Sequence, residues 1–190
     1  MNRRELLGAG VLVLASGVTL SLEGCDVWSE IEQWVPTGIA AFEQIVILVA
    51  PVAAPGIDAI AEAVKAAFSV LAAAVDQYRN APADQKATLL QKVILAFNLV
   101  STNLQQFLNA INVPGSSPIV KIVLGLVNII LSTIMGFVNR IQPTPATAAV
   151  RLTLSGQSVN VTPVVRSRAK FKSDWNAACV QAGHPEMQVN

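Results

Sequence analysis

The stretch LLQKVILAFNLVSTNLQQFLNAI, residues 89–111, decides the fold. Within it Leu89, Val93, Phe97, Val100, Leu104, Phe107 and Ile111 step by four, four, three, four, three and four residues. That spacing lays one apolar seam along a helix. A seam this long needs a partner, so it predicts packing in a helical bundle or a coiled coil. The residues between, Gln91, Asn98, Thr102, Asn103, Gln105 and Asn109, make a face that is polar without being strongly charged. Such a face suits solvent or a neighbouring element.

The same punctuation and periodicity extend in both directions. Prolines, with Asn or Gly, fall at helix-sized intervals and imply four longer helices, at about 36–50, 55–78, 82–111 and 117–141. A short lead-in begins at Ser29, where Ser29-Glu30-Ile31-Glu32 has capping-box spacing. Trp28 and Trp34 beside it suit either a lipid headgroup layer or packing on the bundle. In the second helix Ile57, Ile60, Val64, Phe68, Leu71 and Val75 form the apolar stripe, while Asp58, Glu62 and Lys65 read as a solvated face. The fourth helix opens at Ser117-Pro118 and is nearly all apolar from Ile122 to Val138, interrupted by Asn128, Ser132 and Thr133. That length approaches the roughly 20 residues that span a bilayer. The central helix of a bundle is the expectation, since three striped helices need such a core. Gly125, Ser132 and Gly136 allow a close approach.

After the stiff stretch Pro143-Thr144-Pro145, Val150, Leu152 and Leu154 alternate with polar residues. A turn follows at Ser155-Gly156-Gln157-Ser158, and Val159 and Val161 alternate again. This predicts a β-hairpin, which must pack on the bundle or on another copy because two strands alone are marginal in water. A last helix, about 167–182, sets Phe171, Trp175, Ala178, Cys179 and Ala182 on one face and ends at Gly183. Arg166, Arg168, Lys170 and Lys172 surround its start. Basic groups there oppose the helix dipole and call for an anion nearby, such as a lipid headgroup, a partner, or the acidic first two helices.

Charge supports that last option. The chain has a net charge of +1, yet residues 25–84 carry Asp26, Glu30, Glu32, Glu43, Asp58, Glu62, Asp76 and Asp84 against Lys65 and Arg79. Most of the bases lie beyond. Charged residues are 13%, the apolar set is 53% and mean hydropathy is +0.52, which suits a tight bundle or partial membrane insertion. With His184 the one histidine, His-rich metal sites cannot be built. The chain contains no nucleophile elbow and no phosphate-binding glycine loop. Cys179 with His184 reads as a buried thiol beside a capping histidine, not a catalytic dyad. No cofactor or metal is expected, and near-neutral charge with one tyrosine disfavours nucleic acid.

The opening residues read as an address. Arg3-Arg4-Glu5-Leu6-Leu7 precedes an apolar core from Gly8 to Leu20, the layout of a secretory signal. Arg3 and Arg4 followed by Leu6 and Leu7 resemble the twin-arginine export signal, a receptor-read address. Leu22-Glu23-Gly24-Cys25 resembles the lipobox of bacterial lipoproteins, with Glu23 departing from the usual small residue. The resemblance implies a diacylglycerol on Cys25, and Asp26 resembles the inner-membrane retention signal of enteric lipoproteins. It covers the signal region alone. The competing arrangement is a soluble exported protein with a Cys25–Cys179 disulfide.

These readings give a mainly α protein: an up-and-down bundle of about four long helices with a small β-hairpin and a C-terminal helix. The segments are an export signal (1–24), an anchor and lead-in (25–35), the bundle (36–142), and a linker, hairpin and helix packed on it (143–190). The expected role is non-enzymatic, a membrane-anchored interaction or structural module at the bacterial cell envelope, facing the periplasm or exterior. It would be held by lipid and bind a protein partner or further copies of itself. The alternatives are a membrane-inserting, pore-forming, holin-like or toxin-like protein and, third, a small hydrolase.

Overall fold

The computed structural model describes residues 23–49, 54–111, 118–142 and 149–181, together with 183, 185 and 188. Four long helices, α1 (Glu23–Val49), α2 (Ala54–Asn80), α3 (Lys86–Ala110) and α4 (Pro118–Ile141), are followed by β1 (Val150–Leu154), β2 (Gln157–Val161) and α5 (Arg168–Gln181). Each long helix packs on its neighbours in the chain, and α1 closes the ring against α4. The result is the mainly α, up-and-down bundle with a hairpin and a C-terminal helix that the periodicity predicts.

The seams meet where their spacing requires. Val93, Phe97, Val100, Leu104 and Phe107 of α3 are buried, as are Ile57, Val64, Phe68, Leu71 and Val75 of α2. Phe42 of α1 meets Phe107 with ring centroids 4.9 Å apart. Trp28 is fully buried against Phe137, at 4.5 Å, and Phe68, at 6.2 Å, so its indole belongs to the bundle.

One boundary departs from the sequence expectation. The lead-in and the first helix are a single helix, with Pro36 inside it. Proline there withholds the N–H that would bond the Glu32 carbonyl, a loss that normally ends a helix. Burial overrides it, because Trp28, Ile31, Val35, Ile39, Phe42 and Ile45 run as one buried stripe across the proline, and stopping at Pro36 would leave Trp28 and Ile31 without their partners.

α4 is the central element. From Val123 to Val138 all but Gly125 and Asn128 are buried. The hairpin covers the α3 and α4 side, β1 lying on α3 and β2 on α4. Its turn is tighter than expected: Ser155 and Gly156, with φ of 50° and 83°, form the whole of it, and Gln157 and Ser158 belong to β2, where Gln157 pairs with Leu154. Positive φ at both positions is the two-residue hairpin turn whose twist matches the strands. Leu152, Leu154 and Val161 point into the core. Gln105 of α3 fixes the register from outside, its amide donating to the Thr153 carbonyl and its oxygen accepting the Thr153 N–H, both at 3.0 Å. The residue read as part of a polar face is thus a staple between helix and hairpin.

Candidate functional site

The basic cluster around the start of α5 is the strongest candidate that the sequence offers, and the fold divides it. After β2 the chain runs extended across α4. The Val164 N–H donates to the Ser132 carbonyl at 3.0 Å. Gly136 permits this approach: a Cβ there would collide with the Val164 carbonyl and lie 2.9 Å from the Val165 nitrogen. The close approach expected at the small residues of α4 is thus made at Ser132 and Gly136 by the segment between β2 and α5, while Gly125 has nothing within 4 Å of its Cβ position.

This crossing delivers Arg166 into the polar notch of an otherwise apolar helix. Its Nε donates to Asp174 Oδ2 at 3.0 Å, and its Nη1 donates to the hydroxyls of Ser132 and Thr133. Those hydroxyls pass their own protons to carbonyls one turn back, Thr133 to Ile129 at 2.6 Å and Ser132 to Asn128. Three polar groups buried together are mutually satisfied, as burial demands. The Arg166 side chain is 8% exposed, so it serves as a structural pin. Lys170 takes the other oxygen of Asp174. Burial pushes the Asp174 carboxyl up, but hydrogen bonds from Lys170 and Arg166 outweigh this and hold it below the ordinary carboxylate range. Asp174 is the anion that the basic helix start required.

The remaining two members face outward. Arg168 is exposed, its guanidinium 4.8 Å above the Trp34 ring of α1, an attraction of about 0.5–1 kcal/mol at such sites. Lys172 is half-buried on the next face. Ser167 caps α5, its hydroxyl accepting the Lys170 N–H at 3.3 Å. Between α1 and α5 lies a cleft of about 20 Å³ floored by Val35, Thr133 and Phe171 and edged by Trp34 and Arg168, space for about one water.

Among the described residues no ion pair joins the acidic first two helices to the basic C-terminal residues. The ion pairs found there are Lys65 with Glu43 and Glu62, Arg79 with Asp76, and Asp174 with Arg166 and Lys170. Lys65, expected on a solvated face, instead links α2 to Glu43 of α1 at 3.0 Å. Cys179 is buried on α5. Arg3, Arg4, Leu6, Leu7 and His184 lie outside the described residues. The backbone of Cys25 falls in the first turn of α1, and its side chain, with the lipid or disulfide expected on it, lies outside what the structure describes.

A second surface went unread in the sequence. On the outside of the α2/α3 hairpin, Val70, Ala73, Ala74 and Gln77 face Lys92, Leu95, Ala96 and Leu99 across an open groove of about 520 Å³. Leu95 is 68% exposed and Val70 53%. The signal was present as a second stripe on each helix: Ala59, Ala63, Ala66, Val70, Ala73 and Gln77 on α2, and Thr88, Lys92, Leu95, Leu99, Thr102 and Gln106 on α3. Both repeat by four and three, and all twelve are exposed. Two leucines and a valine among alanines are easily overlooked beside a stronger buried seam.

Comparison with known proteins finds no matching family model, no matching curated protein and no matching solved structure.

Proposed function

We propose that this chain is an exported, lipid-tethered helical domain that acts at the bacterial cell envelope as a non-enzymatic interaction module. The observation that carries the reading is the fate of α4: in its most apolar stretch 72% of residues are buried inside the bundle. A helix so enclosed leaves membrane attachment to the N-terminus, where the twin-arginine-like Arg3-Arg4-Glu5-Leu6-Leu7 and the lipobox-like Leu22-Glu23-Gly24-Cys25 stand. Lipid on Cys25 would hold the domain close, since α1 begins at Glu23 and no flexible spacer separates anchor from bundle. Each buried methylene of an acyl chain contributes about 0.8 kcal/mol, and two or more chains anchor stably. Arg168 and Lys172 would then lie on the domain as exposed or half-exposed cations available to an anionic surface.

The inserting alternative requires α4 to withdraw Phe137 from Trp28 and Ser132 from the Arg166 pin, exposing the apolar faces of three other helices to water. Fractionation of cells tests the reading. The chain with Cys25→Ala, behind a cleavable export signal, should leave the membrane pellet as a folded helical species by circular dichroism. Retention that resists alkaline carbonate and yields to detergent would replace the tethered module with an inserted one.

A further inference from the structure

We infer that the outer face of the α2/α3 hairpin is a self-association surface, and that its occupant is the same face of a second copy of this chain. This names a partner for the module proposed above and shares its assumption of a folded domain. It does not depend on the lipid anchor.

Knob and hole lie on one surface. Leu95 and Leu99 project from α3, while α2 opposite them offers Ala73, Ala74 and Val70 with the small stripe residues Ala59, Ala63 and Ala66 beyond. A surface carrying both halves of its own complement is what isologous pairing requires. A two-fold axis running along the hairpin sets α2 of each copy against α3 of the other at the same level. Leu95 then meets the partner copy's alanines, and Leu99 lies opposite Val70. The four helices form a second bundle in which large residues face small ones, as interdigitating seams do.

Charge and area point the same way. Lys92 is the single charged residue on the two stripes, and this arrangement brings it to the neutral Gln77, beside the Asp76–Arg79 ion pair, so it does not meet its own symmetry mate. A lipid surface would call for a basic rim, which one lysine does not supply. The stripe from Ala59 to Gln77 is about 27 Å long at the helical rise. Two helices side by side make it roughly 18 Å wide. Pairing would bury on the order of 1,000 Å² in total, the lower end for a specific interface. The dimer is therefore expected to be a weak one that tethering to a common membrane strengthens by raising effective concentration.

Disulfide trapping on the full-length chain tests this. Two differently tagged copies, one with Ala73→Cys and one with Leu95→Cys, are co-expressed and the opened cells treated with copper phenanthroline. The expected result is a mixed-tag adduct well above that of the chain with its native cysteines, and at least tenfold above Ala73→Cys paired with Asn160→Cys on β2. Leu95→Glu with Leu99→Glu in both copies, read by amine crosslinking, should lower dimer yield at least tenfold while leaving the helical circular dichroism unchanged. No adduct, or equal adduct from both pairings, overturns the proposal. So does capture of Leu95→Cys on a protein of another mass, which would mean a foreign partner. Release of the Cys25→Ala chain from membranes by the double glutamate variant, with crosslinking unchanged, would assign the face to lipid. The adduct is read wherever the chain fractionates, so a failed anchor and a failed dimer give separate results.

Discussion

Among the described residues two helices are long and apolar enough to cross a membrane by length and composition, α3 and the Ile119–Ile141 part of α4, and the fold uses them in opposite ways. In their most apolar windows α4 is 72% buried and α3 33%. α4 is apolar on nearly every side and is largely enclosed, by α1, α3, the β-hairpin and α5, with Lys121 and Arg140 exposed near its ends. α3 carries one strong seam inward and leaves Leu95 and Leu99 outside. Mean hydropathy ranks these helices without saying which surface is spent. What distinguishes them is whether each apolar stripe finds a partner among the described residues, and the outer stripe of the α2/α3 hairpin does not.

The contrast is sharpest in paired substitutions. Leu131→Ala, at a fully buried position of α4, should cost about 2–5 kcal/mol in urea denaturation. Leu99→Ala on the open face should stay within about 0.5 kcal/mol for the monomer. Equal costs would mean that the two helices are packed alike. Glycines extend the comparison within α4. Gly136→Ala should destabilise by about 1–3 kcal/mol because its Cβ meets the backbone of Val164 and Val165. Gly125→Ala meets nothing within 4 Å and should stabilise by up to about 1 kcal/mol through helix propensity.

The two arginines of the α5 cluster form the next pair. Arg166→Met removes the pin and leaves Asp174 with Lys170 alone. It should cost about 1–3 kcal/mol and loosen α5, read as protease cleavage between β2 and α5. Arg168→Met gives up a surface contact with Trp34 and should change stability by at most about 1 kcal/mol. The smallest effect is acid sensitivity. Asp174 is held below its ordinary value of about 3.9, so its contribution is fully present above that pH and is lost as pH falls through the lower folded value. Trp175 fluorescence should report α5 loosening below about pH 4, and Asp174→Asn should abolish that component while lowering stability at neutral pH.

Most of the architecture was legible because its signals are local. The four-and-three steps of α2 and α3, the alternation around Ser155-Gly156 and the stop at Gly183 each depend on residues a few positions apart. Pro36 misled because its local rule was outweighed by burial of Trp28 against partners distant in sequence, Phe68 in α2 and Phe137 in α4. The basic cluster misled in a related way. The need for an anion was readable from Arg166 and Lys170, but that Asp174 would supply it, and that Ser132 and Thr133 would seat Arg166, depends on an extended crossing that no periodicity encodes. Gly136 marked the crossing without saying what would cross. The open face of the hairpin was written in stripe spacing and hidden by its small side chains.

The measurement that bears most directly on this account is hydrogen–deuterium exchange of the purified mature chain, in buffer and again with vesicles of anionic lipid. The account predicts that the amides of α4 are among the slowest to exchange in buffer and that lipid leaves their protection unchanged. Fast exchange across Ile119–Ile141 in water, slowing only when vesicles are added, would contradict it, for the most apolar helix would then be reserved for the bilayer and not consumed by the fold.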